Sequence, residues 1–232
     1  MIAKIIIFTL INLSLNSLSE NDFSIKAVYE TTEPNQNITL FRSFCPITKL
    51  NIDGEFVDKI NDTYYYFYYY VFDTKGFHTV YFAIDFSNCD YLQYMFRYNE
   101  DVISIKFLDE FKGKKITTAF SLFEGCFNLT SLDISNLNTE YIEDMSFMFY
   151  NCRKLTSIDL SNFNTRNAKN MKWMFVDCQS LTSIDLSKFD TSSVTQIDSM
   201  FWNSVSLTSI DISHFDLSKI TTFWEYFVIA NH

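Results

Sequence analysis

The residues best suited to chemistry recur at a fixed interval. Ser131, Asp133 and Ser135 return as Ser157, Asp159 and Ser161, as Ser183, Asp185 and Ser187, and as Ser209, Asp211 and Ser213, 26 residues apart each time. Carboxylates alternating with hydroxyls can offer oxygen ligands to a cation such as Ca²⁺. They can equally hold a basic partner or a hydroxyl-rich ligand, or simply remain solvated. The expectation is a weak interaction strip rather than a tight ion site. Neighbouring carboxylates in the Asp series should repel, and Lys106, which stands in that column in an earlier copy, should pair with Asp133. Trp173 and Trp202 are the second set of candidates. Phe147, Trp173, Ser199 and Glu225 share one 26-residue column, and Tyr150, Val176, Trp202 and Val228 share another. A column that packs in every copy tends to keep one residue type. These two do not, so either indole is a candidate anchor for a partner or packs as core.

Catalytic inventories come out empty. The three His residues, His78, His214 and His232, are far apart in sequence. His214 follows Asp211 and Ser213, but adjacency in sequence is not a triad. No nucleophile elbow, Walker loop, HExxH or paired-Cys motif occurs. No enzyme, cofactor or metal centre is expected. Cys126, Cys152 and Cys178 also lie 26 residues apart, in a column shared with Asn99, Ser204 and Ala230. They read as buried small side chains, because no carboxylate or His completes a ligand set.

The element that must position these residues is the repeat itself. Leu129–Ser135 (LTSLDIS) recurs as LTSIDLS at 155–161 and 181–187 and as LTSIDIS at 207–213. Met148-Phe149, Met174-Phe175, Met200-Phe201 and Tyr226-Phe227 keep the same register, and a divergent copy starts at Val102. A fixed period of this size predicts stacked units that share one core. In Leu-x-x-Ile-x-Leu the alternation places Ile158 and Leu160 on one strand face, with the Ser and Asp residues opposite.

The pattern LTSIDLSNFNT…MKWMFVDC resembles the 26-residue, BspA-like leucine-rich repeat of bacterial and protist surface proteins, also called the mycoplasma lipoprotein-type repeat, over about residues 95–232. The resemblance implies a right-handed leucine-rich-repeat solenoid of about five coils, with parallel strands, one per coil, over 95–232. It also implies cell-surface display, adhesion and contact with a host or matrix partner.

Residues 20–94 do not repeat and read as a β-rich N-terminal cap over the first coil. Tyr64–Phe72 holds eight aromatics in nine residues. After Asp73–Gly76 comes the β-rich run Phe77–Ile84, and the two runs read as a hairpin. The alternative for the aromatic run is a platform for sugars. Export permits a Cys45–Cys89 disulfide, though the sequence does not bring the two together. Asn37, Asn61 and Asn128 head glycosylation sequons.

Residues 1–19 read as a signal peptide: a weakly positive start, an apolar stretch over Ile5–Leu15, and Ser17 and Ser19 flanking Leu18 before Glu20. The mature chain is then expected to be secreted or at the cell surface, with no transmembrane segment. The 232 residues carry 28 acidic and 18 basic side chains, a net charge of −10, which argues against nucleic acid as a partner. Low Gly (4) and Pro (2) content disfavours linkers and phosphate loops. The function these features favour is a non-catalytic interaction or adhesion module that binds an unidentified protein or glycan. The alternative is a structural component of a coat, wall or matrix that self-associates through an open C-terminal edge at Phe223–Ile229.

Overall fold

A computed structural model describes residues 19–57 and 67–221. Residues 1–18 of the expected signal peptide (1–19), Tyr64–Tyr66, Asn61 and the expected edge at 223–229 lie outside the described residues.

Apolar residues alternating along β1 (Ile25–Thr31) and β6 (Gly76–Ile84) make both into core strands. Ile25, Ala27 and Tyr29 point inward from β1, and His78, Val80 and Phe82 from β6. With β3 (Ile47–Ile52), β4 (Glu55–Phe56), β7 (Val102–Phe107) and β8 (Ser131–Asp133) they form a six-stranded sheet in the order β4-β3-β6-β1-β7-β8. β2 (Gln36–Arg42) and β5 (Phe67–Phe72) form a separate antiparallel pair.

The expected hairpin does not form. β5 and β6 follow each other but pair with different partners: β5 with β2, β6 with β1 and β3. With β1 and β3 on its two sides, β6 has no free edge for β5. The Asp73–Gly76 turn carries the chain from one sheet to the other, pinned by Thr31 Oγ1 donating to the Thr74 carbonyl at 2.9 Å. The His78 ring stacks on Phe72, with centroids 3.9 Å apart. Nδ1 of His78 lies 2.6 Å from Asp53.

The leucine-rich-repeat solenoid with one parallel strand per coil is also corrected. The sheet is mostly antiparallel: β3-β4, β3-β6, β1-β6 and β1-β7 all run that way, and only β7-β8 is parallel. No strand forms at 155–161, 181–187 or 207–213, and the strands close no solenoid. Asp159, Asp185 and Asp211 each accept, through Oδ1, the N–H of the Ser two residues on at 2.9 Å. This local turn competes with extended pairing. The Asp-Ser turn is common to every repeat and does not by itself decide this, because Asp133 Oδ1 accepts the Ser135 N–H at 3.2 Å at the end of β8, which does pair.

Backbone bonds between successive repeats gather elsewhere, in the Met-Phe segments. Met145, Phe147, Phe149 and Asn151 N–H donate to the carbonyls of Asn170, Lys172, Met174 and Val176. Met171, Trp173, Phe175 and Asp177 do the same to Gln196, Asp198, Met200 and Trp202. These segments are not extended. In each repeat two residues four apart take positive φ: Phe147 and Asn151, Trp173 and Asp177, Ser199 and Asn203. The β7-β1 pairing makes one sheet of the non-repeating part and the first repeat.

Inside, one ring per repeat stacks on the next. Phe96, Phe123, Phe149, Phe175 and Phe201 are fully buried. Successive centroids are 5.9, 5.6, 5.1 and 5.4 Å apart with nearly parallel planes. Beside them runs the Cys column. Sγ of Cys126, Cys152 and Cys178 donates to the carbonyls of Phe96, Phe123 and Phe149 at 3.1–3.3 Å. Ser204 Oγ donates in the same way to Phe175. Asn99 begins the column and bonds the Thr39 and Leu40 carbonyls of β2. Burial pushes the Cys178 thiol up to about 12 and raises those of Cys126 and Cys152 as well. The thiolate, not the thiol, is the nucleophile. The native protein should therefore leave these three thiols unreacted with a disulfide reagent at pH 8, and denaturant should release all three. Any thiol reacting quickly in the native state would contradict the buried ladder. Cys45 and Cys89 form a disulfide, with Cα atoms 5.5 Å apart.

Candidate functional site

The Ser-Asp-Ser residues lie at the surface. All twelve are exposed apart from Asp133, which is half-buried. The Lys106 ammonium is 3.4 Å from Asp133. In all four repeats the Asp side chain also serves its own turn, Asp133 accepting from Ser135 as the later ones do from Ser161, Ser187 and Ser213. The Ser161 hydrogen bonds hold the Asp159 carboxyl below the usual carboxylate range, with neighbouring Asp133 and Asp185 pushing the other way. The bonds from Ser187 and Ser213 lower Asp185 and Asp211 likewise.

A lowered native pKa contributes stability above the unfolded value, near 4, and loses it as pH falls through the native one. An Asn side chain can accept the same turn hydrogen bond without titrating. Asn164 already does so from the Arg166 N–H. Asp159→Asn with Asp185→Asn should therefore keep the turns, give up only the small charge-dependent contribution at neutral pH and flatten the loss below about pH 4. Unfolding midpoints measured across that range check this. An acid-side loss as steep as that of wild type would show that these two carboxylates do not set it.

His214 places Nε2 3.1 Å from the Leu186 carbonyl, while Asp211 Oδ1 accepts the Ser213 N–H. The three residues are engaged separately. No helix among the described residues is long and apolar enough to cross a membrane.

The two tryptophans do come together. In each repeat the two variable columns sit on one tight turn. Tyr150, Val176 and Trp202 N–H donate to the carbonyls of Phe147, Trp173 and Ser199 at 3.1, 3.4 and 3.1 Å. The first residue of each turn has φ near +55°: 58° at Phe147, 57° at Trp173 and 49° at Ser199. Because the turns stack in register, the six side chains make a patch two columns wide and three repeats long. Bulky and small residues are staggered across it. Phe147 and Tyr150 come first, then Trp173 and Val176, then Ser199 and Trp202. Where Val176 and Ser199 stand instead of rings, a cleft of about 360 Å³ opens, lined by Tyr150, Trp173, Val176, Ser199 and Trp202.

Trp173 is 39% exposed and Trp202 45%. Phe147 supports Trp173 edge-on at 4.8 Å, and the Lys172 ammonium lies 5.8 Å from the same ring. Lys172 is also 3.5 Å from Asp198. The Asp177 carboxylate accepts hydrogen bonds from Asn203 and Gln179. Burial, with the Asp177 and Glu124 carboxylates close by, pushes the Tyr150 phenol up, so it stays a neutral donor. The column variation had signalled these tryptophans. Tyr150 was visible only as a member of a variable column, and Ser199 and Val176 matter because they are small.

A second hollow of about 470 Å³ lies beside the disulfide, lined in part by Phe86, Cys89, Lys114 and Lys115. In the β2-β5 pair, Tyr68 stacks on Phe41 at 4.7 Å and Tyr70 meets Phe72 at 4.9 Å, so those rings pack against the core.

Fold and site together define a β-rich protein with a 26-residue repeat that exposes an aromatic cleft. The chain belongs to the family described as Mycoplasma protein of unknown function, DUF285, whose model matches residues 69–181 and 114–232. That family is related to BspA-like repeat proteins. The resemblance thus stands at the level of the repeat family, and the leucine-rich-repeat assignment does not. No curated protein and no solved structure matches the chain.

Proposed function

We propose that the protein is a non-catalytic interaction module, secreted or displayed at a cell surface, that binds a partner through the Trp173–Trp202 cleft. The observation that carries this reading is the cleft itself: exposed indoles in columns that vary from repeat to repeat, on a scaffold whose buried columns barely change. Large rings held on ordered backbone lose little entropy on binding and dominate many interfaces. Trp173 adds a second argument. The left-handed φ at Trp173 recurs at Phe147 and Ser199 and so belongs to the turn of each repeat, not to the indole. Folding does not require an indole there, since Ser199 fills the equivalent position. The Cys45–Cys89 disulfide supports the oxidising location, because such bonds persist outside the reducing cytosol. The Ser-Asp-Ser strip, from Ser131 to Ser213, is proposed as a secondary, weakly interacting surface.

The test is retention of intact cells on immobilised protein. Wild-type protein should hold them. A variant carrying Trp173→Ser and Trp202→Val should not, although both replacements copy residues the chain already uses in those columns. Equal retention by the two proteins would remove the cleft from the function. Protease shaving of source cells that releases peptides from 102–221 without lysis would support surface display.

A further inference from the structure

We infer that the Trp173–Trp202 cleft is a subsite for a neutral hexopyranose glycan. This rests on the binding-module reading and names its ligand class.

Three features argue for it. The first is size. About 360 Å³ lies at the small end of ligand pockets and is lined by only five residues. A stable protein partner would need a contact of roughly 800 Å² on each side. The second is surface chemistry. Two indoles and a tyrosine ring offer flat apolar faces to the C–H faces of a pyranose, and Tyr150 and Ser199, both hydroxyl-bearing, belong to the same lining. Amphipathic rings of this kind suit a ligand with one apolar and one polar aspect. The third is charge. The charged groups beside the cleft already have partners: Lys172 with Asp198, and Asp177 with Asn203 and Gln179. With a net charge of −10 on the chain, uronic, sialylated or sulfated sugars are disfavoured, and a neutral sugar is matched.

The staggered columns also supply folding controls for the test. Ser199→Phe fills the cleft with the residue found at Phe147, one of the same column. Trp173→Ser removes a wall with the residue found at Ser199. Each substitution places in one repeat what another repeat already accommodates.

Purified full-length protein is titrated with neutral disaccharides (N,N′-diacetylchitobiose, lactose, maltose and mannobiose), following tryptophan fluorescence and heat. At least one should perturb the indole emission saturably, and Trp173→Ser and Ser199→Phe should each weaken it about tenfold or more, with unfolding midpoints near wild type. Silence across the panel overturns the inference, as does equal binding by both variants. Cell retention separates this from the broader reading. Retention abolished by glycosidase treatment of the cells supports the glycan. Retention that survives glycosidases and is lost to protease treatment overturns the glycan while leaving the protein a binding module.

Discussion

Replacing Phe149 by alanine should cost the protein about 3–5 kcal/mol, the range for truncating a fully buried aromatic ring. Phe149 is 0% exposed and sits mid-ladder, stacked on Phe123 at 5.6 Å and on Phe175 at 5.1 Å. Alanine removes the ring from both stacks at once and leaves a cavity that the flanking backbone bonds to residues 170–176 keep from closing. Near-parallel offset rings contribute roughly 0.5–1.5 kcal/mol per pair beyond their buried area. The double variant Phe149→Ala with Phe175→Ala should therefore differ from the sum of the singles by about that amount, since the two share one contact. Urea unfolding of wild type, both singles and the double measures it. A single-variant loss under about 1 kcal/mol would mean that the ladder is not a principal source of stability.

Removing the disulfide should have an effect of similar size. Cys45 and Cys89 close a loop of 44 residues that contains β3, β4, β5 and β6. Loop-closure entropy for that separation amounts to about 4 kcal/mol. The double variant Cys45→Ala with Cys89→Ala, which leaves no odd thiol, should lose about 2–4 kcal/mol. The loss should appear first in the antiparallel sheet. Hydrogen exchange would locate it: amides of β3 and β6 should exchange faster, while those of residues 145–177 keep their protection. A variant as stable as wild type would show that the unfolded chain is already restricted over that stretch.

The Cys column shows how far residue types alone could be taken. Its described members are Asn99, Cys126, Cys152, Cys178 and Ser204, all small and able to hydrogen-bond, and all buried, with side chains bonded to a backbone carbonyl of an earlier segment. That role was readable because one position must meet the same surroundings in every repeat. The pairing of Lys106 with Asp133 was readable on the same ground. The strand assignment at LTSIDLS was not. Alternation of apolar and polar residues is a statement about faces, and it holds here, with Leu160 and Leu186 buried and Asp159 and Asp185 exposed. It does not say whether the backbone pairs with a neighbour: the same Asp-Ser turn closes Ser131–Asp133, which pairs with β7, and 157–159 and 183–185, which form no strand.

The non-repeating part follows the same division. Strands at β5 and β6 were legible from β-branched and aromatic runs around Gly76. Their separation into two sheets was not, because a hairpin and a sheet-to-sheet crossing share the same local signals. The choice was made by β1 and β3, more than twenty residues away in sequence, which occupy both edges of β6.

What the sequence determined by itself is the 26-residue register, the buried Phe and Cys columns, the exposed Ser-Asp-Ser residues and the two variable columns that hold Trp173 and Trp202. Each depends on residue type at a repeated position, and repetition reveals that directly. What only the tertiary structure decided is where the backbone bonds run, that the sheet is mostly antiparallel, and that Tyr150, Trp173 and Trp202 meet around the gap left by Val176 and Ser199. Those outcomes depend on left-handed residues at two positions per repeat and on contacts between chain segments far apart, and neither is encoded in the alternation of apolar and polar side chains.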